Sequence, residues 1–181
     1  AGGGGNANSV ITSSLAGAGA GNNISIGVGG TGGVGAAAAN VSVSNLTTAD
    51  VNSGEIITLG NFSHGIMAMS VGGGGGVGST TITANRQSGS VANSSSKQLA
   101  FSMGGAGGVG GTGGNVDVLN AGSITTYGYK AHGIVAQSVG GGGGQGGMSI
   151  AGDLTLGATS SQAPSRKSST ISIGGFGGDG N

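Results

Sequence analysis

The sequence predicts an all-β fold, a right-handed parallel β-helix: a solenoid in which successive stretches of chain stack on one another. Three observations predict it. Glycine supplies 48 of the 181 residues, whereas charged residues make up only 6%. Apolar residues alternate with small polar ones over short runs bounded by Gly, Asn and Ser, which is the pattern of β-strands. Whole blocks of sequence return along the chain, which indicates a repeat architecture.

Strand-like alternation occurs in the parts of the chain that glycine does not dominate. It is clearest in the pairs Ile24/Ile26, Val41/Val43, Phe101/Met103, Ile134/Ala136, Leu154/Leu156 and Ile171/Ile173. Glycine interrupts every window long enough for a helix and disfavours a helix by about 1 kcal/mol relative to Ala. We therefore expect stacked strands that bury a shared aliphatic column.

The repeats form a single segment of about two and a half units. The block from His64 to Val71 returns from His132 to Val139, and each copy leads into five glycines. Other blocks return in the same way: 40–45 at 115–120, 2–12 at 73–83 and 141–150, and 24–26 at 101–103 and 171–173. We place the unit boundaries near 1–72, 73–140 and 141–181 and expect about three turns of the solenoid per unit. Since the chain opens inside a glycine run, we expect a fragment of a longer protein.

The glycine tracts have a period of three. Residues 104–115 read as four successive Gly-Gly-X triplets, and shorter runs occur at 29–34 and 174–179. Three residues per turn is the period of a polyproline II type helix, so these tracts fit the polyglycine II conformation. The alternative is that they are flexible linkers, as glycine-rich sequence often is. Recurrence in register with the strands favours the ordered conformation.

Composition excludes several partners. The net charge is zero, and the five basic residues are scattered through the chain at Arg86, Lys97, Lys130, Arg166 and Lys167. Binding to a nucleic-acid backbone needs clustered Lys and Arg, so no nucleic acid is expected. No apolar run approaches the roughly 18 residues of a membrane-spanning helix.

The run His-Gly-Ile-x-Ala-x-Ser-Val followed by five glycines, at 64–76 and 132–144, resembles the repeats of very large bacterial autotransporter passenger proteins. The strand and turn at 122–128 before the second histidine strengthen the match. The resemblance implies a β-helical passenger displayed on the bacterial cell surface and anchored through an outer-membrane β-barrel that this chain lacks. It also implies roles in adhesion, aggregation or biofilm formation.

The glycine tracts are similar, more weakly, to those of phage tail-fibre adhesins, which pack polyglycine helices. We predict an extracellular structural or adhesive protein that forms a stalk, fibre or cell-surface scaffold. A receptor-binding phage adhesin is the alternative, and a β-helix polysaccharide-processing enzyme is disfavoured. Expected partners are further copies along the solenoid axis or in filaments, and host or surface ligands. The polar segments 85–98 and 157–169 are the expected ligand loops.

The expected structural motif is the repeated block itself, with the residues His64, Gly65, Ile66, Ser70, His132, Gly133, Ile134 and Ser138. Two imidazoles on equivalent turns would suit a metal ion or a pH sensor. At three turns apart, however, they would not share one ion, so a structural role is favoured, in which each histidine hydrogen-bonds a turn between coils.

No catalytic residue, metal site or cofactor is expected, and the chain is predicted not to be an enzyme. Residues 174–179 match the first six positions of a calcium-binding nonapeptide, which makes Asp179 a candidate ligand. The other glycine tracts carry no aspartate to complete a cage of six to eight oxygens. Asp50 and Glu55 are the one close carboxylate pair, and nothing near them resembles the cleft of a glycosidase.

Overall fold

The structure is a computed structural model that describes residues 2–16, 22–47, 54–88, 96–156 and 166–181. These residues confirm the predicted all-β class: they form twelve strands, and none of them forms a helix that could cross a membrane. The strands are β1 Val10–Ala16, β2 Asn22–Val28, β3 Val41–Asn45, β4 Ile56–Thr58, β5 Ile66–Val71, β6 Thr81–Ser88, β7 Ser96–Met103, β8 Val116–Asn120, β9 Ile124–Thr126, β10 Ile134–Val139, β11 Ser149–Leu156 and β12 Arg166–Ile173.

Every strand pairs in parallel with its equivalent in a neighbouring repeat. The sheets have the orders β1-β6-β11, β2-β7-β12, β3-β8, β4-β9 and β5-β10. Ile66 pairs directly with Ile134, and no strand lies between them. Each repeat therefore forms one layer, and the expectation of three turns per repeat is wrong. We call the described parts of residues 2–71, 72–139 and 140–181 layers 1, 2 and 3.

The observed register confirms most of the predicted alignment and corrects one block. Val41 pairs with Val116 and Thr12 with Thr83, as the repeats predict. Ile26, however, pairs with Phe101, whereas the repeated sequence blocks align Ile24 with that residue. Both alignments place apolar residues on the same face, because side chains alternate with a period of two, so the sequence pattern alone could not distinguish them.

Between the strands, the glycine tracts are hydrogen-bonded in two directions. The amide of Gly32 donates to Ala106 O in the next layer, and the amide of Gly33 donates to Gly5 O in the facing tract. One series of bonds crosses all the layers in a zigzag, with N···O distances of 2.6 to 2.8 Å: Gly33 to Gly5, Gly76 to Gly33, Gly108 to Gly76, Gly144 to Gly108 and Gly178 to Gly144. Such regular bonding contradicts the flexible-linker interpretation.

Close approach of the backbones explains why these positions are glycine. A Cβ atom at Gly108 would overlap the carbonyl oxygen of Gly33, and one at Gly75 would overlap that of Gly108. Every third position, in contrast, faces outward and accepts a side chain: Val34, Val77 and Val109 are all exposed. The Gly-Gly-X period therefore matches two backbone contacts and one outward side chain per three residues.

The interior is less aliphatic than the sequence predicts. The sheets β1-β6-β11 and β2-β7-β12 pack face to face, and we call this pair the first sandwich. Its interior holds mainly small polar side chains: Thr81, Thr83, Asn85, Gln87, Ser96, Gln98 and Ser102 are all buried. The alternating apolar residues point outward instead, with Ile11 74% and Ile24 61% exposed. The expected aliphatic column is therefore wrong here.

The opposite end of each layer has a more apolar interior. In β3 and β5 four of the six less exposed positions are apolar, namely Val41, Val43, Ile66 and Ala68, and the other two are Asn45 and Ser70. The repeated histidine motif runs from His64 into β5, and the turn that precedes it lies between β4 and β5. This end of the layers therefore positions most of the predicted motif residues.

Candidate functional site

The two histidines of the repeated motif lie in adjacent layers and stack on each other. Their ring centroids are 5.1 Å apart and their planes differ by 14°. The backbone N–H of His132 donates to Nδ1 of His64 over 3.0 Å. The expected separation of three turns is therefore wrong, because one repeat makes one layer. The imidazole of layer 1 joins the two layers at the start of β5 and β10.

The residues that follow the histidines explain the rest of the motif. The amides of Gly65 and Ile66 donate to the carbonyls of His132 and Gly133. A Cβ atom at Gly65 would lie 2.5 Å from both Gly133 O and the side chain of Ile124. Only glycine therefore lets the two turns approach this closely.

The serines of the motif bind the glycine tract that faces them. Ser70 Oγ donates to Ala39 O over 2.8 Å and accepts the amide of Gly114 over 2.9 Å. Ser138 Oγ donates to Gly114 O over 2.8 Å. Ser70 is buried, and its hydroxyl joins the backbone of the tract in layer 1 to that of the tract in layer 2. Ile134, one layer further along than Ile66, is 46% exposed.

The turn just before each histidine carries an aromatic cluster. Residues 60–63 and 128–131 form equivalent turns, closed by bonds from Ser63 N to Gly60 O and from Ala131 N to Gly128 O. The third residue of each turn has a positive φ, 57° at Phe62 and 52° at Lys130. Positive φ at this position alone defines a type II turn, which favours glycine there. An L-residue in this conformation costs about 1–2 kcal/mol.

The side chains of the two turns contact each other across the layers. Phe62 meets the ring of Tyr129 edge to face, with centroids 6.0 Å apart, and the Lys130 ammonium lies 5.4 Å from the centroid of the Tyr129 ring. Phe62 and Tyr129 nevertheless remain 61% and 66% exposed. We call residues 60–64 and 128–132 the turn cluster. Sequence analysis missed it, although aligning Gly-Asn-Phe-Ser-His with Gly-Tyr-Lys-Ala-His would have marked the variable positions.

The predicted ligand loops lie partly in strands. Residues 85–88 and 96–98 belong to β6 and β7, with Asn85 and Gln98 buried in the first sandwich; residues 166–169 belong to β12. The rest of both loops, 89–95 and 157–165, lies outside the described residues. A pocket of about 620 Å³ adjoins the strand ends and is lined by Lys97, Gln98, Leu99, Lys167, Ser168 and Ser169. Its two lysines are register partners, and the hydroxyl of Ser168 donates to the Asp153 carboxylate.

The interior of the first sandwich contains polar atoms without a partner. Thr83 is fully buried, and its hydroxyl has no hydrogen-bond partner among the residues that the structure describes; the same holds for the Nδ2 atom of Asn85 and the Oδ1 atom of Asp153. By contrast, Thr81 Oγ1 donates to Met103 O over 2.9 Å. Asn85 and Asp153 are register partners in adjacent layers. This interior is polar but incompletely paired.

Among the described residues, no three His, Cys, Asp or Glu side chains lie close enough together to hold a metal ion. Asp179, the calcium candidate, occupies an outward position of its tract, and its backbone carbonyl accepts the amide of Gly110 over 2.8 Å. Its side chain is exposed. Glu55 is exposed as well, while Asp50 lies outside the described residues.

Comparisons of this chain with known proteins found no match. No protein-family model matches the chain, and no curated protein or solved structure matches it.

Proposed function

We propose that this chain is a segment of an extracellular surface scaffold with a structural or adhesive role, built as a right-handed parallel β-helix. One observation carries the proposal: equivalent residues of successive repeats pair in register, from Val10 with Thr81 to Ile173 with Met103. A repeat whose strands and glycine tracts bond to those of the next repeat extends simply by adding more repeats. Parallel crossovers in such stacks are right-handed in nearly all known cases.

Polyglycine II conformation of the tracts supports the same architecture. Their hydrogen bonds recur at every third residue, and three residues per turn is the period of this helix. Gly54 is the one described glycine whose φ lies in the left-handed region, as expected if the tracts keep the negative φ of polyproline II. Each tract then continues the parallel ladder of the strands on both sides of it.

The dimensions favour a broad adhesive surface over a thin stalk. Residues 22–45 run from β2 through a glycine tract to β3, a contour of about 75 Å at 3.1–3.3 Å per residue. Each further layer adds only about 4.8 Å along the stack. A long stalk would therefore need many repeats, whereas a stack of a few repeats already has a wide lateral surface. Side chains at the outward positions of the tracts and turns lie on this face, and those of successive repeats form a ladder.

A receptor-binding adhesin of a phage tail fibre is the second candidate. The zigzag of bonds through Gly33, Gly76 and Gly108 favours it, because packed polyglycine helices are the feature that the sequence shares with such adhesins. Both candidates place the chain outside a cell and assign it an attachment role. They differ in the particle that carries it.

Antibodies raised against this chain would test the proposal. We expect them to label intact cells of the producing bacterium, and we expect deletion of the gene to reduce attachment of those cells to surfaces. Neutralisation of a phage by the same antibodies, with no labelling of cells, would favour the second candidate. Labelling confined to lysed cells would refute both.

A further inference from the structure

The turn cluster keeps bulky side chains where its backbone favours glycine. Phe62 and Lys130 occupy equivalent positive-φ positions of two type II turns. Glycine is the most abundant residue of the chain and would fit both positions without strain. Strained residues of this kind cluster at ligand-binding sites. The backbone conformation does not explain why Phe62 and Lys130 occupy these two positions. We therefore attribute their presence to a role of their side chains.

Packing within the chain does not account for these side chains. Phe62 is 61% exposed, and the Lys130 ammonium lies over the ring of Tyr129, which is itself 66% exposed. A residue placed for packing would bury most of its apolar surface. Aromatic rings that remain largely exposed at a surface are typical of binding sites.

The chemistry of the turn cluster suits an acidic sugar. Aromatic faces stack against the C–H faces of pyranose rings, while the amide of Asn61 and the imidazoles of His64 and His132 offer hydrogen-bonding groups. Lys130 supplies a positive charge, and the turn cluster itself contains no Asp or Glu, while the exposed Glu55 lies seven residues before Phe62, on the other side of β4. Within the turn cluster a uronate carboxylate would therefore meet a cation and no like charge.

We propose that the turn cluster is a binding site for acidic, uronate-containing polysaccharide. The inference deepens the proposed surface role and depends on it, since a surface protein meets such polymers outside the cell. Each further repeat would add one turn at a spacing of about 4.8 Å. A polymer lying along the stack would then contact several turns at once and gain avidity.

Affinity chromatography of the folded chain tests the inference, with immobilised alginate as the polyuronate probe and immobilised dextran as the neutral polymer. We expect alginate to retard the chain and dextran not to. Phe62→Gly and Tyr129→Ala should each weaken the apparent affinity by at least about fivefold. Lys130→Gly should weaken it most at low salt, where a surface charge is least screened. Phe176→Ala removes an aromatic ring that is 73% exposed elsewhere and should leave the affinity within about twofold, since a residue outside the contact contributes little.

Thermal unfolding of the same variants separates binding from folding. Glycine relieves the positive φ at positions 62 and 130, so neither variant should unfold at a lower temperature than the original chain. The inference is overturned if alginate fails to retard the original chain, if dextran retards it equally, or if Phe62→Gly retains full affinity. Labelling of intact cells does not depend on these side chains. A negative alginate result combined with positive labelling would therefore refute the binding site alone.

Discussion

The imidazole rings of His64 and His132 lie nearly parallel with their centroids 5.1 Å apart, although 68 residues separate them along the chain. The contact requires each repeat to form one layer. The hydrogen bond between the two residues is directional: the backbone N–H of His132 donates, and the ring of His64 accepts through Nδ1. The two histidines are therefore equivalent in sequence but not in the contacts they make.

This asymmetry predicts that His64→Ala destabilises the chain more than His132→Ala. Both variants lose the ring stacking, but only His64→Ala removes the acceptor of the His132 amide. We expect the free energies of unfolding of the two variants to differ by about 0.5–1.5 kcal/mol. The difference should lie near the lower value, because water reaches this hydrogen bond. Urea denaturation of the two variants measures it. Equal destabilisation would mean that the hydrogen bond contributes nothing.

The glycine tracts predict opposite outcomes for two neighbouring substitutions. A Cβ atom at Gly75 would overlap Gly108 O, whereas one at Gly74 would lie 3.7 Å from Gly142 O, at ordinary contact distance. We expect Gly75→Ala to lower the free energy of unfolding by about 3 kcal/mol or to prevent folding. Gly74→Ala should raise it by about 0.4–1 kcal/mol, because alanine restricts the unfolded chain. Similar effects of both substitutions in urea denaturation would argue against close backbone packing.

Two threonines on β6 predict a second contrast. Thr81 and Thr83 are both fully buried, but among the described residues only the hydroxyl of Thr81 has a hydrogen-bond partner, Met103 O. Thr81→Val should therefore destabilise the chain by about 0.5–1.5 kcal/mol, because it removes this hydrogen bond, although Met103 O still accepts the amide of Gly29. Thr83→Val replaces an unpaired hydroxyl with a methyl group of similar shape and should be neutral or stabilising. Calorimetric melting of both variants checks the order, and a larger loss for Thr83→Val would contradict it.

The sequence predicts the strands well because their alternation and their repeats are local patterns. It places β3 opposite β8 and identifies the glycine tracts as ordered, since Gly-Gly-X recurs in register with the strands. It does not predict the number of layers per repeat. Short strands separated by glycine tracts fit several small turns as well as one large turn. The bonds that decide between them, such as Gly33 to Gly5 and Gly76 to Gly33, join backbones and leave no side-chain signature.

The sequence also misleads about the interior of the first sandwich. Alternation identifies the two faces of a strand but not which face is buried. We expected Ile24 and Ile26 to face inward because burial of apolar surface usually dominates folding. In the structure Ser25 is buried between them, while both isoleucines are exposed. Small polar residues suit the interior between the two sheets of the first sandwich, because they take up little space. The glycine tracts that follow these strands bring the backbones into direct contact.

The turn cluster was not predictable from any single repeat. Phe62 and Lys130 look like ordinary surface residues in sequence, because type II turns usually place glycine at this position. Their importance depends on a backbone angle that becomes visible only in the structure. The contact between Phe62 and Tyr129 additionally requires the layer register.

A designed disulfide tests the central claim, one layer per repeat, most directly. Met69 and Gln137 are exposed register partners, and the chain has no cysteine of its own. Adjacent layers place such a pair about 4.8 Å apart, within the range that a disulfide spans. Three turns per repeat would separate the pair by about 14 Å. We predict that the double variant Met69→Cys, Gln137→Cys forms an intramolecular disulfide under mild oxidation while it remains folded. Two thiols that stay free in the folded monomer would contradict the account.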